Sequence, residues 1–190
     1  MEALVSARLR LRPIVEADNP QLHCWRNDLD YLKMVSPKRA VVGFEKFVLE
    51  QKKAFETGRH LQFVVETCAS PPVAVGTIYS FELNLVDGHV FVNTFIDERF
   101  RSRGYGPEAS IILVCYLFDF FPLHKIYFEA FGYNNPSLSM IRTAGLKEEG
   151  VFKGHRFFGG ERYDVVRFAA YRDSLDRIRS LERRFRERKI

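Results

Sequence analysis

The stretch from residue 90 to residue 121 constrains this chain more than any other. Residues 90–96 (Val-Phe-Val-Asn-Thr-Phe-Ile) favour a strand. They run into a basic loop holding Gly104 and Gly106, and then into a segment, 107–121, that is apolar on every side. A helix without a polar face has to be buried, here against a sheet. A strand that feeds a Gly-containing turn and opens a helix can hold phosphate. Glycine allows the tight backbone, and the first amides of a helix have no partners within it. Pro107 fits the first helical turn, where its missing N–H costs nothing. Arg99, Arg101 and Arg103 add positive charge at the same place. The pattern reads as a diphosphate cradle. A plain strand-to-helix turn of an α/β fold has the same spacing and is the alternative.

Burying such a helix takes one well-filled domain. The chain has 190 residues, is 46% hydrophobic and contains 18 Phe, which suffices for a core and excludes disorder throughout. Its net charge of +5 suits anionic ligands and is weak evidence for nucleic acid. Three widely spaced cysteines, Cys24, Cys68 and Cys115, form no metal-ligand pattern. Their odd number rules out a complete disulfide framework and points to a reducing cytoplasm. Residues 1–9 read as a strand rather than a signal peptide. The longest apolar run, 111–118, is too short to span a bilayer.

Alternation of Leu9, Leu11 and Pro13 with arginines predicts a half-buried strand over 7–15. Asp18-Asn19-Pro20 starts a helix carrying Leu22, Trp25, Leu29 and Leu32, interrupted by the polar stretch Arg26-Asn27-Asp28. Residues 43–57 form a second amphipathic helix with Phe44, Phe47, Val48, Gln51 and Phe55 on one face. Strands follow over 61–67, 74–85 and 90–96, with a hairpin signal at Asp87-Gly88. After the apolar helix come a strand over 125–131, a helix from Asn134 to Gly145, and a closing hairpin of 148–158 and 161–171 around Gly159-Gly160. The order predicts a mixed, mostly antiparallel α/β (α+β) sheet with helices on both faces, not a doubly wound parallel sheet.

Residues 172–190 stand apart from the domain over 1–171. This extension holds eight Lys/Arg against four Asp/Glu. Leu175, Ile178, Leu181 and Phe185 make a narrow stripe, and Asp173 with Arg177 and Glu182 with Arg186 are i,i+4 pairs. A solvated helix docking its stripe on the domain, or on the second subunit of a homodimer, is the plain reading. RNA or acidic-membrane binding is the sharper one, diluted by the interleaved acids.

Arg101-x-x-Gly104-x-Gly106 resembles the acyl-CoA signature of the GNAT superfamily of acetyl-CoA-dependent N-acetyltransferases. Asn134-x-x-Ser137 with the later Gly145-Leu146, the strand Gly160-Glu161-Arg162-Tyr163-Asp164-Val165 and the lead-in Asp97-Glu98-Arg99-Phe100 resemble its RimJ/RimL-like branch. The resemblance covers residues 8–172 in the expected order. It implies a sheet splayed between strands 4 and 5, with acetyl-CoA as co-substrate and no metal. The amides of Arg101, Ser102, Arg103, Gly104, Tyr105 and Gly106 would hold the diphosphate. Backbone groups near Phe95 and Ile96 would pair with the pantetheine and polarise the thioester.

The resemblance also implies a proton donor for the leaving thiolate. The Tyr that many relatives use falls at Ile141 here, so Ser137 is the candidate, and Asn134 the pantetheine partner; both residues also suit helix capping. Glu82, on the second of the three middle strands, is the first candidate for general base, with Asn93 and His89 behind it and a solvent-facing strand position as its plain alternative. Trp25, Asn93 and Tyr163 are candidate acceptor contacts; core packing is the alternative for Trp25 and Tyr163. The implied reaction is acetyl transfer to the primary amine of a small molecule, such as an amino sugar, a nucleotide-linked amino sugar, an antibiotic or a polyamine. A protein N-terminus is the competing acceptor, and a CoA-binding module without turnover the competing class. A dinucleotide binder would need a third glycine after the first strand, which is missing.

Overall fold

The computed structural model describes residues 4–35 and 40–187. Its centre is a seven-stranded sheet of β1 (Leu9–Pro13), β2 (Leu61–Thr67), β3 (Ala74–Asn84), β4 (His89–Ile96), β5 (Lys125–Phe131), β6 (Lys147–Phe158) and β7 (Glu161–Tyr171). The order is β1-β2-β3-β4-β5-β7-β6. Every neighbouring pair is antiparallel except β4–β5, which is parallel. A parallel pair needs a long crossover, and α4 (Tyr105–Phe120) supplies it.

The expected splay is present. The β4–β5 ladder ends at Phe91↔Tyr127. Beyond that rung β4 stays with β3 as far as Gly76↔Ile96, while β5 stays with β7 as far as Phe131↔Val165. The sheet therefore opens into a V above Phe91.

Side chains alternate between the two faces. One face packs Leu9, Leu11, Val65, Ile78, Val92 and Ile126 against Ile112, Leu113 and Phe118 of α4. On that side Leu138 and Ile141 of α5 (Asn135–Thr143) pack on Val166 and Phe168. The other face carries α1 (Asn19–Arg26), α2 (Leu29–Met34) and α3 (Phe44–Glu56), with Leu22, Trp25, Tyr31 and Phe95 in one cluster. The break expected after Trp25 is real, because the Asp28 carboxylate accepts the Asp30 and Tyr31 amides and caps α2. The apolar face expected on α3 is only partly used. No residue of α3 is buried, and Phe44 and Phe55 stay exposed, while Phe47 reaches the Trp25 cluster.

The N-terminus is not the continuous strand expected over 1–9. Among the described residues Val5 makes a single bridge with Arg10, and Ser6 Oγ accepts from the Leu9 amide, turning the chain back along β1. Residues 1–3 of that expected strand lie outside the described residues.

The basic extension is docked. In α6 (Leu175–Arg186) Ile178 is buried in the main core, Arg179 pairs with Asp119, and Phe185 O meets the Ala7 amide. The helix thus runs back along α4, as its stripe implied. Glu182 pairs with Arg186 at 2.8 Å. Arg177 does not join Asp173; its guanidinium covers Gly145. Arg188, Lys189 and Ile190 of the expected helix lie outside the described residues. No helix among the described residues is long and apolar enough to cross a membrane.

Candidate active site

The cradle takes the shape its residues allow. Ser102 and Gly104 both have positive φ, at 62° and 78°, and Gly104 is the N-cap of α4. Only glycine adopts that cap conformation without strain. The Glu108 amide bonds back to Gly104 O at 3.3 Å, and Pro107 has none to offer. The amides of Tyr105 and Gly106, at the positive end of a 16-residue helix, are the donors left for an anion.

Arg101 departs from its expected role. Its amide bonds Glu98 O at 3.2 Å, Nε donates to Ile96 O at 3.0 Å, and Nη1 donates to Asp30 Oδ2 at 2.6 Å. Arg101 therefore ties the end of β4 to α2 rather than lining the cradle. Ser102 and Arg103 are exposed on its rim.

Two residues with no role in the sequence reading hold the cradle. Glu108 is wholly buried in the first turn of α4, and Ser6 Oγ donates to its Oε1 at 2.6 Å. Arg8 Nε donates to its Oε2 at 3.0 Å, Nη1 donates to Arg103 O at 3.1 Å, and the guanidinium lies 5.1 Å from the Tyr105 ring centre. The signal was an acid in the first turn of an otherwise apolar helix.

At the V, backbone direction decides what a ligand meets. The Asp97 amide bonds Val75 O on β3 at 3.0 Å, and the Gly88 carbonyl accepts from Lys125 at the start of β5. Neighbouring residues of a strand aim their main-chain groups to opposite sides. Phe95 thus faces β3, where its carbonyl lies against Gly76. Ile96 and Thr94 face the opening. Of the expected pair, Ile96 turns its main-chain groups to the opening and Phe95 does not; the Phe95 ring packs on Trp25 and Tyr31. Thr94 Oγ1 lies 2.9 Å from Ser110 Oγ of α4.

Across the V, Asn134 is the N-cap of α5 and accepts the Ser137 amide at 3.3 Å. Its capping role uses Oδ1. Ser137 is half-buried in the first turn, and Ile141, one turn on, is buried.

The acceptor candidates separate. Trp25 is buried and its Nε1 donates to Asp97 Oδ2 at 2.8 Å, so it belongs to the core. Asn93 is half-buried on β4 and donates to Val35 O at 3.1 Å; Tyr79 is its cross-strand partner, and Tyr31 packs in the same cluster as Tyr79. Burial pushes both tyrosines above their ordinary pKa, so they stay neutral hydrogen-bonding groups. Tyr163 stacks edge-on to Tyr133 and donates to Glu161. Glu82 is exposed at φ 54°, beside a register shift that follows Phe81. It follows Phe81, the partner of Phe91 at the last β4–β5 rung, so it stands at the closed end of the V, while the mouth at Ile96 lies opposite Gly76, about 20 Å further along β3.

Comparison with known proteins agrees with this geometry. Residues 8–147 match the acetyltransferase (GNAT) domain model. The chain is 26% identical over 150 residues to a probable N-acetyltransferase, YjcK, of Bacillus subtilis (strain 168), covering 74% of this chain and 81% of that one. It is 24% identical over 102 residues to the SPbeta prophage-derived uncharacterized N-acetyltransferase YokL of the same organism, spanning only 58% of that relative. Its fold resembles the spermidine N-acetyltransferase of Vibrio cholerae in complex with CoA and spermine, with TM-score 0.82 at 20% identity, covering 88% and 97% of the two chains. It also resembles RimL, a ribosomal L7/L12 alpha-N-protein acetyltransferase in complex with coenzyme A, with TM-score 0.78 at 18% identity, covering 90% and 97%. A helix opening on Gly104, a sheet parted above Phe91 and a domain match over most of its length all lead to one conclusion: the chain belongs to the acetyltransferase (GNAT) domain family.

Proposed function

We propose that the protein transfers the acetyl group of acetyl-CoA directly to the primary amine of a small molecule. The observation that carries this reading is the opening of the sheet above Phe91↔Tyr127, directly beside the start of α4. The diphosphate sits on the amides of Tyr105 and Gly106. The pantetheine enters the V between Ile96 and Asn134. The ammonium loses a proton to water, and the amine lone pair attacks the thioester carbonyl. A C–N bond forms, the nitrogen passes its surplus proton through water to Ser137, and the Ser137 hydroxyl gives its own proton to the sulfur as the C–S bond breaks. Main-chain donors of β4 at the opening stabilise the oxyanion.

A small acceptor is favoured over a protein N-terminus because the space on the α1–α3 face is narrow, about 210 Å³. The test is thiol release from acetyl-CoA across an amine panel, with products identified by mass spectrometry. Release with small amines is the expected result. No release with any amine, from protein that still binds acetyl-CoA, would favour a binding module. Release with peptide N-termini alone would favour the protein acceptor.

A further inference from the structure

On the face opposite α4, a cavity of about 210 Å³ lies between α1, α3, β2 and β3. Its polar lining includes Arg26, Glu50, Gln51, His60, Gln62 and Tyr79. Two buried donors in it, Arg26 Nη1 and Gln51 Nε2, have no hydrogen-bond partner. Buried donors are nearly always satisfied, so a pair left open in one cavity marks a place for acceptor oxygens. Gln62 is taken: its Nε2 donates to Thr77 Oγ1 at 3.0 Å, and its Oε1 lies 3.4 Å from His60 Nε2. Glu50, the one carboxylate of the lining, already has a partner. A guanidinium beside an amide N–H₂ is the donor set that fits a carboxylate.

The cavity lies one strand from β4, whose far edge lines the opening of the sheet. Tyr79 of the cavity is the cross-strand partner of Asn93, and Thr77 is the partner of Phe95. Strands lie about 4.8 Å apart, so from the β4 opening to the β2–β3 cavity is one to two spacings, about 5–10 Å.

We propose that this cavity seats a carboxylate of the acceptor, so that the substrate is a small amine bearing a carboxylate about 5–10 Å from its nitrogen. A dipeptide or an ω-amino acid has that span; in a free α-amino acid the two groups are too close. A polyamine would set an ammonium against Arg26 and is rejected. The inference rests on the acetyl-transfer reading for the position of the amine. The seat itself rests on Arg26 and Gln51.

Two measurements test it. The first compares kcat/KM for glycylglycine, 4-aminobutyrate, glycylglycinamide and spermidine in wild type, Arg26→Gln and Gln51→Ala. Wild type should favour the two carboxylates at least tenfold over the amide and spermidine. Arg26→Gln should erase that preference, chiefly through KM, and Arg26→Lys should restore part of it. A merely structural role would instead lower rates with all four amines alike. The second titrates glycylglycine and glycylglycinamide into the CoA-bound protein by calorimetry, which needs no turnover. Binding that requires both the carboxylate and Arg26 supports the seat even if no amine is acetylated, and then only the activity falls. Equal or better use of spermidine or the amide, or carboxylate binding indifferent to Arg26→Gln, overturns it.

Discussion

Trp25 Nε1 donates to Asp97 Oδ2 at 2.8 Å, joining α1 to the residue that follows β4 and precedes the cradle. Asp97 also accepts from Arg99 Nε at 2.9 Å and Nη2 at 2.7 Å. Arg99 first, and then Trp25, hold its carboxyl well below the usual carboxylate range against the opposing effect of burial. Because the folded pKa is depressed, Asp97 stabilises the fold above the ordinary value of about 3.9, and that contribution is lost as pH falls through the folded pKa. Trp25→Phe keeps most of the packing and removes the donor. It should lower unfolding free energy by about 1.5 kcal/mol at pH 7, the scale of a hydrogen bond to a charged group. It should also shift the acid loss of stability to higher pH. Urea titrations at several pH values, with an unchanged m-value, would check both.

The turn into α4 was legible because its causes are local. A left-handed cap needs glycine, and Gly104 supplies it at φ 78°. Asn134 announced its helix as a cap, whereas Asp28, which caps α2, was legible only as part of a polar break. Relations made across the fold were not legible. A charged loop does not say where Arg101 points, and its partner Asp30 is 71 residues away. Arg8 and Glu108 are 100 residues apart. Alternation along β3 placed Glu82 on a strand face but could not show the positive φ and register shift there. The meeting of Asn93, Tyr79 and Tyr31 depends on register and on how α2 docks, and neither is written in one segment.

Two glycines should respond in opposite ways. A Cβ on Gly76 would overlap the Phe95 carbonyl oxygen, a backbone atom that cannot yield without parting β3 from β4. Gly76→Ala should cost at least about 3 kcal/mol or abolish soluble expression. Gly106 has ordinary φ, and the nearest atom to an added Cβ is Ile96 Cγ1 at 3.6 Å. Gly106→Ala should stabilise by about 0.5–1 kcal/mol through helix propensity. Thermal melts of the two variants give the comparison, and calorimetry should find the acetyl-CoA affinity of Gly106→Ala within threefold of wild type.

Removing Arg8 should be costlier than its place on the surface suggests. Its side chain is 22% exposed, but Glu108 beneath it is 0% exposed. Arg8→Ala leaves that carboxylate buried with the Ser6 hydroxyl as its side-chain donor. Stranding one member of a buried pair costs about 3–5 kcal/mol. The first turn of α4 should loosen with it, so acetyl-CoA affinity should fall at least tenfold. Arg10→Ala, whose side chain is 47% exposed over Glu66, should cost under about 1 kcal/mol and leave the cofactor affinity alone. Chemical denaturation and calorimetric titration of the pair separate anchoring from general surface charge.

The docked extension can be tested through a thiol. No disulfide joins Cys24, Cys68 and Cys115; the first two are exposed and the third is buried between α4 and α6. Burial pushes the Cys115 thiol far up, and the neighbouring Glu182 adds to the effect. Its alkylation therefore requires α6 to lift from α4. Ile178 holds that contact from the core, whereas Arg179 and Asp119 pair at the surface. Ile178→Ala should weaken the dock by about 2 kcal/mol or more, raising the open population roughly thirtyfold. Arg179→Ala should change it less than threefold, as an exposed pair contributes about 0–1 kcal/mol. Iodoacetamide labelling followed by peptide mass spectrometry reads Cys115 against Cys24 as an internal control. Rapid labelling of Cys115 in wild type would show that the basic helix is not held against α4, and its stripe would then need another surface.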